Sequence, residues 1–238
     1  MGQKIFLTAE WKKLVMANYI VDPAILKKYV PGKTELDYFN NNCYVSLVGF
    51  MFQQVKVKGF RIPFHVNFPE LNLRFYVRYK DGLQWKRGVV FISEIVPKPF
   101  ITIVANTLYK EHYTTLPMQY KWDAIEDYFL IRYSWKKNKQ WNKLEVKADR
   151  TPLLLQEGSF EEFITEHFWG YSDGGNDRTF EYRVAHPRWD IYNVKEFVVN
   201  CDFASLYGQS FTFLSEQKPV SVFLAEGSPI EVFTRKVL

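Results

Sequence analysis

Two cysteines, Cys43 and Cys201, are too few for a disulfide framework and show no CxxC spacing, so both are expected to be core thiols. No uninterrupted apolar run reaches the roughly 18–20 residues a membrane helix needs. The opening stretch, MGQKIFLTAEWKK, lacks the apolar region and small-residue cleavage site of a secretory leader. A cytoplasmic location without a membrane partner is therefore expected. Glycine-rich phosphate loops, HExxH and GxSxG are also missing, which disfavours kinases, dinucleotide enzymes, zincins and α/β-hydrolases. The histidines, His65, His112, His167 and His186, are too scattered for a local metal pattern, and neither metal nor cofactor is expected.

Charge of one sign is scarce as well. The net charge is +5, but its Lys and Arg are interspersed with acids, which argues against a nucleic-acid partner. The basic stretch KKNKQWN reads as a solvated hairpin turn. What is abundant is aromatic area: Phe, Tyr and Trp make up 18% of the chain, and these residues favour strands and broad packing surfaces. At 238 residues, about 70–75% of the unfolded surface can be buried, enough for one β domain spanning 1–238.

Asp22-Pro23 is a helix start, with Asp as N-cap and Pro at the first helical position, and Pro31-Gly32 ends that helix. NCYVSLVGFMFQQVKV, from Asn42, carries apolar residues on both faces and fits a strand buried from both sides. GVVFISEIVP predicts a strand in which Glu94 shares a face with Val90 and Ile92, and FITIVANTLYKEHY predicts a short helix. MQYKWDAI, EDYFLIRYSW and NKLEVKAD read as antiparallel strands. Ser159 with Glu162 forms a capping box opening a helix that Gly170 is expected to stop. TFEYRVAH, IYNVKEFVVN, SVFLAEG and IEVFTRKV supply further strands. The edge of the last one can be covered by a second subunit, giving a homo-oligomer, or by the chain itself. Many strands with two or three short helices predict a closed or nearly closed barrel, since closure removes exposed edges.

The most informative stretch is NFPELNLRFYVRY. At period two, Leu71, Leu73, Phe75, Val77 and Tyr79 fall on one face and Glu70, Asn72, Arg74, Tyr76 and Arg78 on the other. Glu70 and Asn72 are about 6.6 Å apart along the strand and Glu70 and Arg74 about 13 Å, so the two charges cannot pair directly within it. On an interior face each needs a partner from another strand, a water or a ligand; on an exterior face both are solvated decoration. Pattern alone leaves the two open.

The ordered series EWKKLVMANYIVDPAILKKYVPGKTELDYF, CYVSLVGF, NFPELNLRFYV and VVFISEI, with EEFITEHFWGY and HPRW further on, resembles the YqjF-like family, a domain of unknown function. That family is similar to acetoacetate decarboxylase. The resemblance implies a mainly β, acetoacetate decarboxylase-like double-sheeted β-barrel around a largely apolar cavity. On that register Glu70 takes the place of an active-site glutamate, Lys12 falls near the arginine that holds the substrate carboxylate, and Ser46 falls near a second glutamate. The decarboxylase's Schiff-base lysine pair falls on Tyr113 and Thr114, in LYKEHYTTLP. Lys110 has Glu111 beside it where that mechanism needs a second cation. Schiff-base decarboxylation is therefore not expected.

The leading expectation is a cavity that binds a small anionic or carbonyl-bearing molecule, with Lys12, Ser46, Asn72, Tyr76 and Glu94 as contacts. A second, from another class, is a lysine-independent lyase, hydratase or isomerase, with Glu70 as general acid or base, Arg74 holding a carboxylate, and His112 or Tyr113 as proton partner. Against both stands a satisfied internal hydrogen-bond network that only holds the barrel together.

Overall fold

The computed structural model describes residues 3–238. In chain order the elements are β1 (Ile5–Val21), α1 (Pro23–Leu26), β2 (Thr34–Leu36), β3 (Cys43–Val57), β4 (Phe68–Asp81), β5 (Gln84–Val96), α2 (Pro99–Leu108) and β6 (Tyr113–Thr115). They continue with β7 (Met118–Ile125), β8 (Tyr128–Lys137), β9 (Gln140–Asp149), α3 (Phe160–Thr165), β10 (Trp169–Asp173) and β11 (Thr179–Ala185). The last are β12 (Ile191–Asn200), α4 (Phe203–Tyr207), β13 (Ser221–Phe233) and β14 (Lys236–Val237). No helix of the described residues is long and apolar enough to cross a membrane.

Seven strands form a ring in the order β13, β1, β3, β4, β5, β10, β11, and the pairing of Val184 and Ala185 with Val232 and Glu231 closes β11 back onto β13. Closure leaves these strands no long unpaired edge. A second sheet, β12-β9-β8-β7, hangs on the barrel through Ile191 to Asn193, which pair with β13 before the rest of β12 turns to β9. The chain itself covers its last strands: β13 lies against β1 and β12, and β14 against β11.

Two cores result. One fills the space between the barrel wall and the second sheet, where Leu47, Leu71, Leu73 and Phe75 meet Ile131, Tyr133, Trp135 and Val146. Gly49 admits Tyr133 against β3; a Cβ there would press into its ring. The other core lies inside the barrel and includes Leu14, Met16, Phe50, Phe52 and Tyr76. Along Cys43–Phe52 and Phe68–Val77, β3 and β4 are therefore walls with no solvent side, which is why β3 reads apolar on both faces.

Three local expectations are corrected. α3 stops at Thr165, not at Gly170, which lies inside β10 where the Tyr182 ring occupies the space of a side chain. SVFLAEG and IEVFTRKV are not two strands: β13 runs on through Pro229, with Gly227 at φ 83° packed on the Trp11 backbone. Glu94 does not share a face with Val90 and Ile92. A bulge between the Leu73–Ser93 and Arg74–Phe91 pairs reverses the alternation of β5, sending Val90 and Ile92 into the inter-sheet core and Glu94 to the other face.

Candidate functional site

The inside of the barrel is not filled. A cavity of about 390 Å³ remains, walled largely by aromatic and aliphatic side chains such as Trp11, Phe50, Phe52, Phe68 and Phe91, with α2 contributing Phe100, Ile101 and Val104. One wall is polar, and strand register builds it. Asn72 of β4 pairs with Glu94 of β5, which pairs with Tyr113 of β6, so three side chains from three strands stand in one row. Glu70 lies two residues before Asn72 on the same face. The interior alternative for this face is what the structure shows: Glu70 and Asn72 are 2% exposed and Arg74 8%.

Three carboxyl groups converge here. Glu70 accepts from Asn72 Nδ2 at 3.2 Å and from the Tyr113 hydroxyl at 3.0 Å. Glu111 accepts from the Tyr182 hydroxyl at 2.9 Å. It is turned inward by the left-handed backbone at Lys110, φ 56°, which leaves the lysine outside. Burial is the main cause that raises all three acids. Glu70 is pushed up to about 7, with Asn72 and Tyr113 pulling the other way. Glu111 is pushed up to about 8, opposed by Tyr182. Glu94 lies well above the carboxylate range because Glu111 and Glu70 add like charge to its desolvation. At neutral pH the cluster retains protons, and Glu70 is poised to give or take one.

Arg74 is the cationic counterpart, and it is unpaired. Its Nη2 donates to the Ile164 carbonyl at 3.2 Å and approaches the Met16 sulfur at 3.9 Å, while its Nε has no partner. No carboxylate among the described residues lies within ion-pair distance of it. Beyond it, α3 stoppers the barrel, with Phe163 packed on the Tyr76 ring. His167, just after α3, lies between the rings of Tyr76 and Phe163 and also lines the cavity. Its Nε2 is 3.4 Å from Asp37 Oδ2, which Arg87 Nε also meets at 2.6 Å. Burial pushes His167 down to about 4, against the pull of Asp37, so the ring is neutral. No group of three or more His, Cys, Asp or Glu side chains among the described residues is arranged to hold a metal ion.

Of the residues singled out in the sequence, Glu70, Asn72, Arg74, Glu94 and Tyr113 meet at this wall. The others lie elsewhere. His112 is exposed, because its neighbour Tyr113 points inward; its carbonyl accepts the Glu94 N–H at 3.1 Å. Lys12 alternates with the cavity-lining Trp11, so its ammonium stands outside, 3.7 Å from Glu10. Ser46 and Tyr76 lie under the α3 stopper, where the Ser46 hydroxyl is 2.6 Å from both Asn18 Oδ1 and the Tyr76 hydroxyl. Sequence reasoning missed Glu111, Tyr182, His167 and Trp11, which reach the cavity from remote strands and loops without a shared local pattern.

A barrel with a side sheet and an interior cavity of this kind is the acetoacetate decarboxylase-like fold. An acetoacetate decarboxylase-like enzyme from Sphingomonas wittichii RW1 superposes with a TM-score of 0.68 at 11% identity, covering 100% of this chain and 94% of that one. The enduracididine biosynthesis enzyme MppR complexed with pyruvate gives a TM-score of 0.67 at 10% identity, covering 100% of this chain and 91% of that one. By sequence the chain belongs to the DUF2071 family, described as an uncharacterized conserved protein, which it matches over residues 8–229. The uncharacterized protein YqjF of Bacillus subtilis (strain 168) is 29% identical over 196 residues, 80% of this chain and 77% of that protein.

Proposed function

We propose that the barrel cavity binds a small carboxylate, with Arg74 as its anchor. The carrying observation is the guanidinium itself: a buried cation without a counter-ion costs several kcal/mol, and an anion entering the cavity offsets that cost. Arg74 offers the ligand planar, charge-assisted donors, and the aromatic and aliphatic walls take its apolar remainder. That MppR is seen with pyruvate supports a small carboxylate in a barrel of this shape.

The test is thermal shift and calorimetry with pyruvate, acetoacetate, acetate and longer monocarboxylates, on wild type and Arg74→Gln. Carboxylates should stabilise the wild type, and the variant should bind roughly 10- to 100-fold more weakly, as expected for a charge-assisted hydrogen bond of about 1.5–3 kcal/mol. Unchanged affinity in Arg74→Gln would remove the anchor role.

Glu70 supports a second reading, an acid-base enzyme that needs no lysine. Its pKa of about 7 and its bond from Tyr113 suit proton transfer at a carbon next to a carbonyl. Solvent deuterium exchange into a bound enolisable keto acid, abolished in Glu70→Gln, distinguishes catalysis from binding.

A further inference from the structure

Five residues that line the cavity each carry a buried polar atom that no other described residue partners. Besides Arg74 Nε, these are Trp11 Nε1, Asn72 Oδ1, Glu94 Oε2 and His167 Nδ1, all on residues that line the cavity. Buried polar atoms without partners are uncommon and costly, so five on one cavity point to a partner that arrives from outside.

These atoms include donors and acceptors, and His167 Nδ1 is the most constrained of them. Burial pushes the Asp37 carboxyl up, but the hydrogen bonds of His167 and Arg87 outweigh it and hold Asp37 below the ordinary carboxylate value. Asp37 is therefore ionised and accepts from a proton on His167 Nε2. In a neutral ring this leaves a lone pair on Nδ1. That atom can accept a hydrogen but cannot donate one to a carbonyl. Guanidinium and imidazole both lie near the Tyr76 ring, 5.7 and 4.7 Å from its centroid, and the Arg74 charge is close enough to help hold the imidazole neutral. The site thus offers a cationic donor and, next to it, a fixed neutral acceptor, while Asn72 Oδ1 is a second free acceptor on the same wall.

Resting on the carboxylate reading of Arg74, we infer that the ligand is a 2-hydroxy carboxylate with an apolar tail. Arg74 takes the carboxylate, His167 Nδ1 accepts the hydrogen of the adjacent hydroxyl, and the Phe50, Phe52 and Phe68 side of the cavity takes the tail. Asp37 acts as a positioning residue, fixing the tautomer that makes His167 an acceptor.

Calorimetry with a matched set tests this: 2-hydroxy-4-methylpentanoate, 4-methylpentanoate and 4-methyl-2-oxopentanoate, which present a hydroxyl, nothing and a carbonyl at one position. The wild type should bind the hydroxy acid at least tenfold more tightly than the other two. His167→Phe should abolish that preference, so that it binds the hydroxy acid and 4-methylpentanoate within about threefold of each other. Equal affinities, or a preference for the oxo acid, overturn the hydroxyl assignment while leaving the Arg74 reading in place. A preference that survives in His167→Phe overturns the role of His167. Failure of all three to bind overturns the carboxylate reading and this inference with it. The wild-type comparison decides the ligand class even where the variant does not fold.

Discussion

The Tyr113 hydroxyl donates to Glu70 Oε2 across 3.0 Å, joining a short strand that follows α2 to the central wall of the barrel. This bond favours the ionised carboxyl and opposes the desolvation that pushes Glu70 up to about 7. Tyr113→Phe should therefore raise the Glu70 pKa further, by about one to two pH units if the bond is worth about 1.5–3 kcal/mol. Infrared titration of the carboxyl stretch, with Glu70→Gln as the subtraction control, reads this directly. An unmoved titration would mean that the hydroxyl gives its hydrogen elsewhere.

Stability should fall as pH rises from 6.5 to 8. Glu70, at about 7, and Glu111, at about 8, have folded pKa values above the ordinary 4.5, so the native state holds protons that the unfolded chain has released. Their stabilisation is fully present below pH 4.5 and is lost as pH rises through those values. His167 and His186, both pushed down to about 4 by burial, act oppositely: their contribution is present above 6.5 and lost as pH falls toward 4. Above pH 6.5 the carboxyls act alone. Melting temperature measured against pH should decline over this window in wild type and decline less steeply in Glu111→Gln.

Arg74→Met should separate stability from binding. Removing an uncompensated buried cation and substituting an apolar chain of similar length is expected to leave the unliganded melting temperature unchanged or higher. Carboxylate-induced stabilisation should disappear in the same variant. A large loss of stability without ligand would show that the bond to the Ile164 carbonyl is worth more than the charge costs.

Gly170→Ala should be strongly destabilising. The new methyl group would overlap the Tyr182 ring, and moving that ring pulls its hydroxyl away from Glu111. A loss of about 1–3 kcal/mol is expected from overpacking, with the bond to Glu111 lost in addition. Chemical denaturation reads the loss. Tyr182→Phe, which removes only the hydroxyl, should cost less.

Borohydride treatment with pyruvate or acetoacetate should leave the intact mass unchanged at the cavity. Among the described residues the one lysine lining it is Lys58, exposed on the turn after β3, and Lys110 faces solvent. A trapped adduct on either residue would restore imine chemistry.

The strand carrying Glu70, Asn72 and Arg74 was legible as a strand from its alternation. Which of its faces met water was not, because from Phe68 to Val77 neither does, and that depends on the second sheet packed behind it. Resemblance supplied the barrel, and the structural likeness bears that fold out. Pattern assigned no strand to Ile5–Val21, where a bulge around Lys13, at φ 53°, breaks the alternation. The same kind of break misplaced Glu94. Glu111 read only as an acid beside Lys110, since nothing local says which of two adjacent charges a left-handed turn will bury. His167 and Tyr182 join the wall through contacts between segments far apart in the chain, which no window of sequence displays.

From Phe68 to Val77, β4 stands between the cavity on one side and a packed core on the other, and every one of these positions is buried. Change in the shape of the cavity is easier from α2: it lines the cavity with Phe100, Ile101, Val104, Ala105 and Leu108, yet none of its residues is fully buried. Substitutions there can reshape the chamber at little cost to folding. A barrel of this kind can thus change the shape of its chamber through one helix while the buried polar residues of the strands stay fixed.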